Sequence, residues 1–328
     1  MAFLSMINQT ELKDLSAGEE LTSFLIVNRC EIKMAKNGKP YLNMELRDRS
    51  AALPAKVWDK IESIKDLVKE GTIVKIAGQI EEFNGALQIR IDRIRAAQEN
   101  DNVRPEDFLP KSKRPLDVML NELNQTISSI KNPYLSQLVK IIFVKDNLEK
   151  YSRTPAGKAW HHAYLHGLLE HTLEVARICD LMCSIHPEIN RDILICGALL
   201  HDWGKTEELT YDSVFDYSDK GKLVGHIMIG AMKVEEAAAS ISGFPPNLKD
   251  QLVHLVLSHQ GKLEFASPVE PKTLEAIVLY QADELSAKTN AYKSAIETDK
   301  NKTGNWTRFL PLANTSLYIP NDSPDTDN

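Results

Sequence analysis

Leu199-Leu200-His201-Asp202-Trp203-Gly204-Lys205 closes an apolar helical run that begins near Arg191, and it sets an imidazole beside a carboxylate just before a helix-stopping glycine. Neighbours on a helix point about 100° apart, yet close to its end a long His and a short Asp can converge on one ion. Imidazole nitrogen with carboxylate oxygen suits Zn, Mn, Fe or Co better than calcium, which takes oxygen alone. Taken alone, His201-Asp202 reads as a capping pair rather than a metal site. It is not alone, because all nine histidines fall between His161 and His259, whereas scattered surface histidines would not leave everything before them empty.

His171 shares a helix face with Leu168, Val175 and Ile178, and Asp283 shares one with Ala276, Leu279, Tyr280 and Ala287, so both point toward a core. A buried, unpaired carboxylate costs several kcal/mol unless a cation or donors receive it. His171, His201, Asp202 and Asp283 therefore make one ion site with room for water. His226 opens a helix after Gly225 and His259 ends one before Gly261, which suggests a second ion, with Asp202 as the bridge. His254 competes with His259, but five residues rotate about 140° around a helix, so both cannot aim at one point. Two-metal sites place the ions roughly 3.5 to 4 Å apart and stabilise both oxygens of an in-line displacement at phosphorus. That geometry points to phosphoester hydrolysis, with Lys205 offering an ammonium to a phosphate oxygen or, equally, serving as a solvated charge at a helix end. His161 and His162 precede the metal helix and either contact substrate phosphate or ribose or cap that helix.

The amino-terminal part is patterned differently. Phe24, Ile26, Cys30 and Ile32 alternate with Leu25, Val27, Arg29, Glu31 and Lys33, and Leu42, Met44 and Leu46 alternate with Tyr41, Asn43, Glu45 and Arg47 across a turn at Asn37-Gly38-Lys39-Pro40. A short strand Ala52 to Val57, a helix Trp58 to Val68 and two strands meeting at Asn84-Gly85 complete five strands with one helix between the third and fourth. That is the order of a small OB-type barrel, expected over residues 1–97. Its polar faces carry Arg29, Lys33, Tyr41, Arg47, Phe83, Gln88 and Arg90, a mix of cations and rings that suits a single-stranded nucleic acid, although each taken singly is a plain surface residue. Trp58 is expected in the core. Between Glu20 and Ala97 there are 14 Lys and Arg against 11 Asp and Glu, although the whole chain is at −7.

Residues 98–114 read as a linker with Pro105 and Pro110, residues 115–310 as an all-α domain, and residues 311–328 as a mobile tail or surface strap. Helical periods cover Pro115–Ile130, Pro133–Tyr151, Gly167–Cys183, Arg191–His201, His226–Ile241, Asn247–His259 and Pro271–Lys288. A chain of 328 residues suits two domains, and 43% hydrophobic with 26% charged residues excludes wholesale disorder and fibrous repeats. No stretch approaches the roughly 18 apolar residues of a membrane span, and the start lacks a basic, then apolar, leader, so no membrane partner and a cytoplasmic location are expected. Cys30, Cys179, Cys183 and Cys196 form no C-x-x-C pair and are expected as reduced thiols.

The series His171, His201-Asp202, His226, His259, Asp283 resembles the HD-domain metal-dependent phosphohydrolases. With the preceding barrel, the span from Leu21 to Lys288 resembles the YhaM-type 3′-to-5′ exoribonucleases, and His161-His162-Ala163-Tyr164, Gly167-Leu168-Leu169-Glu170-His171-Thr172 and Leu257-Ser258-His259-Gln260-Gly261 are similar to that family's motifs. Where the family carries a second His after the Ser-His pair and a Gly before Gly167, this chain has Gln260 and His166. The resemblance implies trimming of single-stranded RNA, with single-stranded DNA as a further candidate, from the 3′ end by a metal-activated water. It also implies two divalent ions, with manganese or cobalt favoured over magnesium, iron or zinc. Two rivals stand beside it: an HD nucleotidase or cyclic-dinucleotide phosphodiesterase whose barrel serves assembly, and a non-catalytic RNA-binding adaptor. A homo-oligomer is left open.

Overall fold

The computed structural model of the chain describes residues 9–320 apart from 36, 37, 59, 60, 66, 213, 300–303 and 312. Two compact units emerge, one of residues through 111 with 211–216 and one of residues 112–210 with those from 217 on.

In the first unit β1 (Glu20–Met34), β2 (Pro40–Arg47), β3 (Ala52–Val57), β4 (Ile73–Phe83) and β5 (Ala86–Ala96) close a barrel in the order β1-β2-β3-β5-β4. Helix α1 (Ile61–Ile64) lies between β3 and β4 in sequence, and only the β3–β5 pair is parallel. This is the expected OB-type arrangement. The β4–β5 hairpin turns at Asn84 and Gly85 with φ of 53° and 77°, the positive pair that a two-residue hairpin needs to match strand twist. Leu25, Val27, Leu42, Met44, Leu46, Val74, Ile76, Ile80 and Ile89 fill the interior.

The alternation in β1 does not run as its sequence suggests. The register on β2 slips between Val27 and Arg29, so Leu25 and Val27 face inward, Cys30 follows them, and Ile32 stays 55% exposed. A bulge inserts one residue and flips the parity of everything beyond it. The predicted helix Trp58–Val68 is realised over Ile61–Ile64, with residues 59, 60 and 66 outside the described set. Residues 98–114 hold two 3-10 turns, Glu99–Asp101 and Pro105–Phe108, with Phe108 and Leu109 buried. In the carboxy-terminal stretch Trp306 bridges to Tyr318 and Leu310 to Thr315, while residues 321–328 of the predicted tail lie outside the described set.

The second unit is helical: α2 (Leu116–Ser128), α3 (Pro133–Ile142), α4 (Lys145–Arg153), α5 (Gly167–Ile185), α6 (Arg191–Leu200), α7 (Lys205–Glu208), α8 (Asp219–Val224), α9 (His226–Ala239), α10 (Pro246–Ser258) and α11 (Leu274–Asp299). The single period read over Pro133–Tyr151 breaks at Phe143-Val144, whose backbone leaves the helical region, and α7 and α8 carry too few turns to show a period. Every residue of α6 from Ile193 to Leu200 is buried. A helix apolar on all sides must sit at the centre of its bundle, and α5, α10 and α11 pack around it. Among the described residues no helix is long and apolar enough to cross a membrane.

Cys179 and Cys196 are buried in this core, which pushes both thiols up, whereas Cys30 and Cys183 are half-buried. Thiolate is the reactive form. Titration of the native protein with a thiol reagent should therefore label only Cys30 and Cys183, and denaturant should release the other two.

Candidate metal centre and nucleic-acid face

Four helix termini and two helix interiors deliver the centre. His201 and Asp202 follow the last turn of α6, Lys205 opens α7, His226 opens α9 and His259 follows α10, while His171 and Asp283 project from within α5 and α11. Gly204 lets the α6–α7 turn close onto α9, because a Cβ there would lie 2.0 Å from the His226 carbonyl oxygen.

All six expected metal-ligand residues come together. The ligand atoms of His171, His201 and Asp283 lie within 4.8 Å of one another, as do those of Asp202, His226 and His259. Nε2 of His171 is 3.0 Å from Asp283 Oδ1 and 3.3 Å from Nε2 of His201. Asp202 faces both groups, its Oδ2 3.4 Å from His201 and 3.6 Å from His171, its Oδ1 3.5 Å from both His226 and His259.

The outward nitrogens fix which atom faces the centre. Nδ1 of His201 donates to the Ala198 carbonyl at 2.8 Å and Nδ1 of His259 to the Val256 carbonyl at 2.6 Å. Those are the carbonyls that a helix end leaves without an N–H partner. Nδ1 of His226 donates to Glu208 Oε1 at 2.9 Å. Ser286 spends its hydroxyl proton on Glu174 at 2.8 Å, so it accepts from His171 Nδ1 at 3.1 Å. Each ring is thereby left with an Nε2 lone pair directed inward, the arrangement by which histidine ligands are oriented in metal proteins.

The result is a pocket of acceptors. Four imidazole lone pairs and two carboxylates converge with one ammonium, Lys205, 2.7 Å from Asp202 Oδ2. Asp202 Oδ1 and His226 Nε2 are buried without a hydrogen-bond partner. Burial lowers the His171 and His259 imidazoles below their ordinary value. It opposes ionisation of Asp202 too, but Lys205 and His201 outweigh it and hold that carboxyl well below the usual range. Burial also pulls His201 down, and the Asp202 carboxylate outweighs it upward. The donor set fits divalent cations of intermediate softness.

His161 and His162 part company. His161 lies 5.3 Å, ring to ring, from His171, its Nδ1 is buried without a partner, and burial holds it well below its ordinary value. His162 is equally near His171, 5.3 Å ring to ring, but is 0% exposed, with Nδ1 on the Tyr164 hydroxyl at 2.7 Å and Nε2 3.4 Å from Glu174, and so belongs to the network behind His171. Its backbone carries a φ of 43°. Where a Gly was expected before Gly167, His166 adopts a φ of 70° and its Nδ1 bonds the Ser152 carbonyl. Gln260 Nε2 lies 3.1 Å from His259 Nε2. His254 is held by the Lys272 backbone N–H instead of joining the centre. Sequence reading missed Glu208, Ser286 and Glu174, although Glu174 stands one turn after His171 on the same helix.

On the barrel a groove of about 1270 Å³ is lined by Lys56, Trp58, Lys75, Phe83, Arg90 and Arg93 among others. Trp58 is not in the core: it is 54% exposed and stacks on Tyr41 with ring centroids 4.5 Å apart and planes 21° apart. Phe83 is equally exposed, with the Lys56 ammonium 5.1 Å from its centroid, and Arg90 is paired with Glu81 at 3.0 Å. Gln88 lines the groove, whereas Arg29, Lys33 and Arg47 sit on the β1–β2 arm and do not. The missed cations had a signal in the spacing of Arg93 and Arg95 on β5.

Family models match residues 26–97 as an OB-fold nucleic acid binding domain and residues 168–288 as an HD domain. The 3′-5′ exoribonuclease YhaM of Bacillus subtilis is 33% identical over 306 residues, which cover 92% of this chain and 96% of that protein. The YhaM exoribonucleases of Geobacillus sp. and Oceanobacillus iheyensis are 34% and 35% identical, over 92% and 93% of this chain and 93% and 95% of theirs.

Because Gly204 sets the approach of α9, Gly204→Ala should lower the stability of the helical unit by about 1–3 kcal/mol through overpacking, read as an earlier thermal transition in far-UV circular dichroism.

Proposed function

The chain belongs to the family of the YhaM 3′-5′ exoribonucleases, and on that premise we propose how its own residues perform the reaction. The protein is a metal-dependent 3′-to-5′ exoribonuclease, a hydrolase of phosphodiester bonds in RNA. His171, His201 and Asp283 would hold one divalent cation and His226 and His259 a second, with Asp202 within reach of both groups. Bound there, divalent cations supply Lewis acidity toward phosphate oxygens and acidify water at neutral pH. Manganese or cobalt is the proposed metal on the family resemblance, and the set of four imidazoles and two carboxylates is compatible with either. The observation that carries this reading is the convergence of inward lone pairs and carboxylates on a buried pocket with a single ammonium.

Lys205 keeps Asp202 ionised and offers its remaining N–H groups to an incoming phosphate oxygen. Burial opposes its charge, but the Asp202 carboxylate holds its ammonium above the ordinary value, so it stays cationic throughout the neutral range. His161, neutral there, turns an unpartnered nitrogen toward the terminal nucleotide. The barrel supplies the polymer: bases stack on Trp58 and Phe83 while Lys56, Lys75 and Arg93 follow the backbone. Since both units belong to one polypeptide, a strand held by the barrel is presented to the hydrolytic centre at high effective concentration. The cytoplasm, where RNA and reduced thiols coexist, is the proposed location.

With manganese and 5′-end-labelled single-stranded RNA, the full-length protein should give a ladder shortening from the 3′ end, and Asp202→Ala should lose at least about 10²–10³-fold in rate at unchanged circular dichroism. A metal-independent Asp202→Ala protein with full activity, or cleavage at internal sites, would refute the mechanism. Parallel single-stranded DNA and nucleotide substrates define the specificity. Trp58→Ala should weaken RNA binding by about 1–3 kcal/mol in a filter-binding titration, with hydrolysis of a dinucleotide little changed.

A further inference from the structure

The two halves of the centre share a plan but differ in one contact. Each half contains one histidine whose Nδ1 is satisfied by a backbone carbonyl three residues earlier, His201 in one and His259 in the other. In the second histidine of the first half, His171, Nδ1 reaches a carboxylate through the Ser286 hydroxyl. The second histidine of the other half, His226, meets the Glu208 carboxylate directly, ring Nδ1 and backbone N–H both donating to Oε1 at 2.9 Å. The asymmetry falls where it is needed. The half built from His171 and His201 has Asp283 to itself and shares Asp202, whereas the half built from His226 and His259 has only its share of Asp202. His226 is also the most exposed of the four rings, its side chain at 18% against 0% for the others. The group most able to swing away is thus the one clamped at two atoms.

We propose that Glu208 is the positioning residue of the second cation site: it locks the ring of His226, strengthens Nε2 as a donor and adds the negative charge that this half lacks. The proposal rests on the two-cation reading above. Glu208 itself cannot retreat, because it is 8% exposed and α8 passes close enough that a Cβ on Gly221 would lie 2.9 Å from its Cγ. A carboxylate behind a ligand histidine typically contributes about 10–100-fold in metal affinity.

The test is a manganese titration of the full chain by calorimetry and equilibrium dialysis, with metal content counted per chain. Glu208→Gln keeps an oxygen for the His226 N–H, and so the start of α9, but removes the charge. One ion should bind as in the wild type and the other about 10–100-fold more weakly, with RNA hydrolysis recovering as manganese is raised. Glu208→Asp, which retains the charge but withdraws the oxygen by one methylene, should weaken the same ion, and it serves should the glutamine variant unfold. Both ions held with wild-type affinity in the folded variants would overturn the role of Glu208. A wild-type protein that takes up only one ion would instead overturn the two-cation reading, and that result is seen before any variant is made.

Discussion

The helical unit is organised around an electrostatic debt in its own interior: two carboxylates and four imidazole lone pairs aimed at one small volume, with Lys205 as the single cation among the contacts described there. Like acceptors at 3.3–3.6 Å repel in a medium that screens poorly, so the packing of α5, α10 and α11 around α6 is bound to whatever positive charge fills the gap. Stability and chemistry are therefore coupled in this unit. Leu169, Leu194, Leu199, Leu255 and Leu279 belong to the apolar core of the same unit, and His171, His201, Asp202 and His259 are buried with them.

Helix ends make the arrangement economical. A helix terminus leaves carbonyls without partners, and a histidine just past the last turn can donate its Nδ1–H back to one of them. His201 and His259 do so at Ala198 and Val256, which satisfies the backbone and selects the tautomer in one contact. The short α7 then turns the chain so that Asp202, Lys205 and Glu208 face the centre and its periphery in succession. None of this needs a long loop, and the neighbouring α9 is met at Gly204, where no side chain intervenes.

The barrel follows a looser logic. Its interior is specified residue by residue by alternation, whereas its outer face tolerates many combinations of cations and rings. Phe83 and Arg90 were legible because the Asn84-Gly85 turn fixes the register of the two strands around them. Trp58 was misread as core, because an aromatic residue at a strand end can turn either way and only the neighbouring Tyr41 ring decides it. The bulge between Val27 and Arg29 was invisible for a related reason: a one-residue slip leaves composition unchanged and alters only which face each later residue takes.

What the sequence determined by itself was the set of chemically committed residues and the class of each unit. Histidine and aspartate at helical positions that must be buried have few other uses, and a period of two against one near 3.6 separates strands from helices without reference to anything distant. What only the tertiary structure decided was pairing at a distance: that His226 is backed by Glu208, that His171 is backed by Ser286 and Glu174, and that His162 is held by Tyr164 while His161 keeps its Nδ1 without a partner. Such partners come from different helices, or from turns too short to carry a period. Their identity is set by the angle and depth at which helices pack, and no local pattern encodes that.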